Sequence, residues 1–135
     1  MMRFSSLFLI LFACSDSILC QTVKEDFNDF IYKFVLDSTY QLQRIKFPLE
    51  FRKWESDEFD SVETTWISAE KWNYDQLYLS MSARPQFYDN FEAKLRETDE
   101  RVVAWEGVEN GINIKYYFKR ITGRWYLIKK EDFST

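Results

Sequence analysis

The hydrophobic period of this chain changes from 3.6 to 2 within a few residues, and that change points to an α+β fold. Val23, Phe27, Phe30, Ile31 and Phe34 recur three and four residues apart. Such spacing lays one apolar stripe along a helix, and Lys24, Asp26, Asn28, Asp29 and Lys33 fill the opposite face. Thr22 and Glu25 have the spacing of a capping box, which predicts a helix over 23–36. Ser38 and Gln41 form a second box that opens a short helix through about Arg44. From Ile45 the pattern alternates, with Ile45, Phe47, Leu49 and Phe51 set against Lys46, Pro48, Glu50 and Arg52. That is a strand with one buried face. Pro48 has no amide donor, so the strand is expected to start late or to lie at an edge.

The acidic stretch 55–60 reads as a solvated turn, and Ser61 to Lys71, rich in β-formers, as the partner strand. Asn73 is expected to cap a short helix over 75–82, ended by Pro85. Beyond it, Phe87, Phe91 and Leu95 suit a helix, while Phe87 and Tyr88 equally suit a short strand near 86–90. The favoured reading is irregular structure with that strand. Three further strands follow in RVVAWEGV, in the alternation of Ile112, Ile114, Tyr116 and Phe118, and in RWYLIKK. Asn110-Gly111 and Thr122-Gly123 provide the turns of an antiparallel meander over 102–130. The expected architecture is N-terminal helices packed on a curved antiparallel sheet of five to six strands, the first helix covering its apolar face. Thirteen Phe, eight Tyr and five Trp supply material for such a core without disulfides.

The N-terminus carries an address. Arg3 precedes an apolar run, Leu7 to Cys14, which is the build of an export signal. A membrane span needs about 20 apolar residues, and Ser15, Asp16 and Ser17 interrupt the run too soon. Leu11-Phe12-Ala13-Cys14 resembles a bacterial lipobox, with Cys14 as the lipid-bearing first residue. Plain cleavage near Ala13-Cys14-Ser15, or just before Gln21, is the alternative. Residues 1–20 are thus expected to be signal and tether, and 21–135 a single α+β domain. The product would be exported: lipid-anchored at the cell envelope if Cys14 is processed, otherwise periplasmic or secreted.

Two absences narrow the chemistry. The chain has no histidine, and no cysteine follows Cys20. The domain therefore has no His base, no Cys nucleophile and no His or Cys metal ligand. Its three glycines, at 107, 111 and 123, form no phosphate-binding loop. No cofactor or metal is expected. A mixed net charge of −4 speaks against a nucleic-acid partner.

Three stretches carry a resemblance: FNDFIYKFVLDSTYQLQRIKFPLEF (27–51), WEGVENGINIKYYFKR (105–120) and GRWYLIKKED (123–132). Together with the order of elements, they resemble the small Bacteroidetes lipoproteins grouped as a domain of unknown function. The fold that this resemblance implies is the nuclear-transport-factor-2-like, or cystatin-like, cone, a curved sheet wrapped around its helices with a pocket at the open end. The shared motifs are structural, so the resemblance implies no catalytic residue.

The first functional expectation is a non-enzymatic domain that binds a small ligand or an envelope protein. Tyr40, Trp66, Trp105 and Tyr116 are candidates for a pocket wall, with plain core packing as the alternative for each. Arg44, at the end of the second helix, is the fifth candidate. If it points inward it needs a carboxylate or an anionic ligand. A second expectation is a proton-transfer enzyme of the isomerase or dehydratase type, pairing Asp37 or Asp75 with Tyr116. A third is a homodimer through the outer face of the sheet, where Lys115, Tyr117, Lys119 and Tyr126 would lie.

Overall fold

The computed structural model describes residues 23–55, 58–77, 83–88 and 98–135, and of 58–60 and 83–88 the backbone alone. Cys14, Cys20, Thr22, Phe91 and Leu95 lie outside these residues, as does most of the helix expected over 75–82. Two helices, α1 (Phe27–Leu36) and α2 (Ser38–Gln43), precede β1 (Ile45–Glu55) and β2 (Glu58–Ile67). A single 3-10 turn, Ala69–Lys71, leads on to β3 (Ala83–Tyr88), β4 (Glu100–Gly107), β5 (Asn113–Ile121) and β6 (Arg124–Asp132). The six strands form one sheet in the order β2-β1-β6-β5-β4-β3. The sheet is mixed rather than antiparallel throughout. The last strand of the meander closes against the first strand of the chain, and β6 runs parallel to β1.

Neither helix uses the expected cap: α1 starts four residues later than expected, at Phe27, and α2 is capped one residue before Ser38. Asp26 caps α1, its carboxylate accepting from the amides of Asn28 and Asp29. The Glu25 carboxylate accepts instead from Arg44, Tyr40 and the Trp125 amide. Val23 is 91% exposed and lies outside the stripe. Asp37 caps α2, accepting from Thr39 and Tyr40. The apolar face of α1 then does what its spacing predicts. Phe27, Phe30 and Phe34 each meet Phe118 edge-on at 5.4–5.6 Å between ring centroids, and Phe27 meets Trp125 at 5.0 Å.

Pro48 neither delays β1 nor sits at an edge. β1 starts at Ile45 and lies between β2 and β6. Ile45 pairs with Leu127 and Glu50 with Lys129, so β1 carries extra residues at this point, and Pro48 falls in that irregularity where no donor is needed. The partner strand ends at Ile67, and the segment that follows is a 3-10 turn and then irregular backbone through Leu77. No helix starts at Asn73. The strand expected near 86–90 runs over Ala83–Tyr88 and contains Pro85, which the outermost position of β3 tolerates. Thr122 and Gly123, both at positive φ, turn β5 into β6 as expected. The β4–β5 connection differs, with Glu109 rather than Asn110 or Gly111 at positive φ. Gly111 is needed for close approach instead, since a Cβ there would lie 2.3 Å from the carbonyl oxygen of Thr135.

Strand register sorts the helix-covered face into transverse rows. Leu49, Leu127 and Phe118 lie at the bottom, fully buried. The next row reads Thr65, Phe51, Lys130, Tyr116 and Val103 across β2, β1, β6, β5 and β4. The row beyond reads Glu63, Lys53, Asp132, Ile114 and Trp105. This face thus passes from aromatic core to charged groups within two steps.

Candidate functional site

Lys130 reaches the inner face because of one irregularity in β6. Phe118 pairs with Leu127 and Tyr117 with Lys129, so Ile128 has no partner on β5. A bulge of one residue reverses the alternation beyond it. Trp125 and Leu127 face the helices, and after the bulge so do Lys130 and Asp132. Unbroken alternation would have put Lys130 on the outer face. Lys129 and Glu131 go outward, where Glu131 accepts from Lys129 at 2.8 Å and from the Tyr117 hydroxyl. Burial opposes the charge of Glu131, but these donors prevail and hold its carboxyl below the usual range.

On the inner face, Asp75 meets Lys130 and Tyr116. Asp75 Oδ2 accepts from Lys130 Nζ at 2.5 Å and from the Tyr116 hydroxyl at 2.8 Å, while Oδ1 accepts from the Leu77 amide at 3.0 Å. Burial first, and the facing carboxylate second, push the Tyr116 hydroxyl far above its ordinary range, so it stays protonated. The irregular segment that delivers Asp75 is fixed from below by Gln41. This fully buried side chain donates to the carbonyls of Phe34 and Asp75 and accepts from the Asp75 amide and from Trp72 Nε1. All four hydrogen-bonding positions of the amide are filled. A cavity of about 760 Å³ opens above this cluster, lined by Phe51, Ile67, Lys71, Trp72, Asn73, Tyr74, Asp75, Gln76 and Lys130. Its size is in the range of small-molecule sites, about 300–1,000 Å³.

A second cluster of the same chemical make-up lies at the start of α1. Arg44 grips Glu25 with two parallel bonds, Nη2 to Oε1 at 2.7 Å and Nη1 to Oε2 at 3.0 Å. Tyr40 also donates to Glu25 Oε1, and the Trp125 amide donates to Oε2 at 2.8 Å. The guanidinium lies 4.8 Å from the ring centre of Tyr40 and donates to the Trp125 carbonyl. Burial raises the Glu25 carboxyl, but the Arg44 and Trp125 donors outweigh it and leave the group below its usual value.

The five candidate residues are thus scattered. Tyr40 and Arg44 belong to the Glu25 cluster, and the carboxylate that an inward Arg44 requires is Glu25. Trp66 is 62% exposed on the outer face of β2, because its neighbour Ile67 takes the inner face. Trp105 is buried on the inner face, and its Nε1 makes no hydrogen bond among the described residues. Tyr116 alone touches the cavity wall, through Asp75. Of the two possible catalytic pairs, the structure forms Asp75 with Tyr116, whereas Asp37 serves as a helix cap. Lys115, Tyr117, Lys119 and Tyr126 share the outer face, with Lys129 over the Tyr117 ring at 3.8 Å and Lys46 over Tyr126 at 3.9 Å. The sequence reading missed Trp72, Asn73, Tyr74, Gln76 and Lys130. The only available signal was the density of polar and aromatic residues in KWNYDQ (71–76), which also suits a helix start.

Comparison with known proteins agrees with this architecture. An NTF2-like protein from Bacteroides fragilis aligns over 83% of this chain at 27% identity with a TM-score of 0.61. The chain spans about half of that protein, 48% of its length. A cystatin-like protein from Bacteroides caccae matches at 24% identity and a TM-score of 0.54, over 80% of this chain and 76% of its own. A protein from Bacteroides uniformis matches at 20% identity and a TM-score of 0.52, over 82% and 77%. These likenesses establish an NTF2-like, cystatin-like α+β fold. No curated protein matches the chain. The family model for DUF4348, a domain of unknown function, matches residues 7–132, and the chain belongs to that family.

Proposed function

We propose that this chain is a non-catalytic ligand-binding domain held at the cell envelope. The observation that carries the reading is the cavity above β1 and β6, with aromatic and amide side chains on a wall fixed by Gln41 and Asp75. A proton-transfer site of the isomerase type needs a carboxylate free to take a proton and a hydroxyl free to stabilise an oxyanion. Here the Tyr116 hydroxyl donates to the carboxylate itself, which also accepts from Lys130 and Leu77. The groups of the enzymatic alternative are therefore directed at one another. The envelope part rests on the apolar run Leu7 to Cys14 and its lipobox-like end, with Cys14 as the lipid-bearing residue.

Ligand binding is tested by thermal unfolding of the full chain against short saccharides, aromatic carboxylates, fatty acids and nucleosides. At least one class is expected to raise Tm, and Gln76→Trp, which places a bulky group at an exposed wall position, is expected to cancel the rise. No rise with any class would overturn the reading. The intact mass of protein recovered from its own cells tests the anchor. A chain starting at Cys14 with added diacylglyceryl and acyl groups is expected, and an unmodified chain starting at Ser15 or Gln21 would refute it.

A further inference from the structure

We infer that the cavity takes a neutral saccharide rather than an anion or an acyl chain. This rests on the ligand-binding reading and names its ligand class. Three features of the wall carry it. First, the one cation held against the sheet is already paired. Lys130 is bound to Asp75, which leaves the solvent-exposed Lys71 as the remaining charge of the wall. An anionic ligand would find no inward positive charge without a partner. Second, the aromatic rings are already fixed by their polar tips. Trp72 donates Nε1 to Gln41, and the Tyr74 hydroxyl donates to the Val35 carbonyl. Both residues line the cavity, and neither has a side-chain donor left for a ligand. Such rings offer flat apolar faces for the C–H side of a sugar.

Third, Asn73 and Gln76 also line the cavity, and their side-chain amides make no hydrogen bond among the described residues. A primary amide presents a donor and an acceptor side by side, which matches the paired hydroxyls of a pyranose. The Lys130 ammonium adds to this, since Asp75 engages one of its three donors. An acyl chain would cover these polar groups and leave them unpaired, at a cost in desolvation. A mixed aromatic and amide wall whose inward cation is already paired therefore selects a ligand that has hydroxyls on its edge and C–H groups on its face.

The test uses the full chain titrated with maltotriose, cellotriose and a trisaccharide of N-acetylglucosamine. Benzoate, phosphate and decanoate serve as comparison probes, and binding is followed by ligand-observed NMR and tryptophan fluorescence. At least one neutral trisaccharide is expected to bind. The double substitution Asn73→Ala and Gln76→Ala, at two exposed positions, is expected to weaken it about tenfold. Binding of benzoate, phosphate or decanoate with no sugar bound would overturn the saccharide assignment and leave the ligand-binding reading standing. Sugar binding that is unchanged in the double variant would also overturn it, by moving the site elsewhere. Silence from all six probes would count against both.

Discussion

Glu25, Arg44 and Tyr40 at the entry to α1 and Asp75, Lys130 and Tyr116 beside the cavity are the same three groups: a carboxylate, a cation and a phenol. They are used differently. In the first cluster the cation is a guanidinium held by two parallel bonds and covered by aromatic rings, and the carboxylate also accepts a backbone amide from β6. Both oxygens of the carboxylate are taken by more than one donor, and none of the three residues lines the cavity above β1 and β6. In the second, a lysine gives one donor to the carboxylate and has two others, and it lines an open space. The choice of arginine or lysine matches the difference, because a planar fork locks a geometry whereas an ammonium leaves directions free. The first cluster ties the entry to α1 onto the sheet, and the second shapes a surface.

Four substitutions or titrations would break or sharpen this contrast, starting with the largest effect. Arg44→Ala leaves Glu25 without its main partner, and the Arg44 side chain is only 12% exposed. It should lower unfolding free energy by about 3 kcal/mol, the scale of a broken buried pair, as measured by urea denaturation. A loss below about 1 kcal/mol would place it with ordinary surface pairs and erase the distinction.

Next comes acid. The folded-state value of Glu25 lies below its unfolded one, so its contribution is complete above the unfolded carboxylate range and is lost as pH falls through the folded value. Unfolding free energy should therefore fall with acid below about pH 4.5. The Glu25→Gln variant should show a shallower slope there, and an identical slope would mean that the Arg44 grip does not hold the charge in the native state.

Tyr116→Phe should cost about 1 kcal/mol, the net value of one hydrogen bond, because Lys130 still accompanies Asp75. A loss near that of Arg44→Ala would mean that the second cluster is as structural as the first. The smallest effect belongs to the double substitution of Asn73 and Gln76 by alanine, which should change stability by no more than about 0.5 kcal/mol. Unchanged stability with weakened binding is the signature expected of a wall that contacts ligand alone.

The sequence showed the helix and strand content well and the site poorly, and the two outcomes have one cause. The stripe Phe27, Phe30, Phe34 and the alternation Ile45, Phe47, Leu49 are periodic, and periodicity is what burial on one face writes into a sequence. The Glu25–Arg44 contact was half visible, since an inward arginine demanded a carboxylate, although the one it found was read as a helix cap. The cavity wall depends on departures from period. Lys130 faces inward because Ile128 is an extra residue in β6. Asp75 is in place because Gln41, read as the end of a capping box, turns into the core and binds backbone 34 residues away. Neither a bulge nor a buried amide of this kind leaves a periodic mark. The parallel pairing of β1 with β6 joins the two ends of the domain, so no local pattern encodes it.

The most direct measurement is a set of amide chemical-shift maps of the full chain, titrated in turn with maltotriose, cellotriose and the trisaccharide of N-acetylglucosamine. The account predicts that at least one trisaccharide perturbs the amides of Trp72 to Gln76 together with Phe51, Ile67 and Lys130, and that none perturbs Glu25, Arg44 or Trp125. Perturbations centred on the Glu25 cluster, or a silent cavity wall with all three, would contradict the division of these two clusters into a structural knot and a saccharide-binding surface.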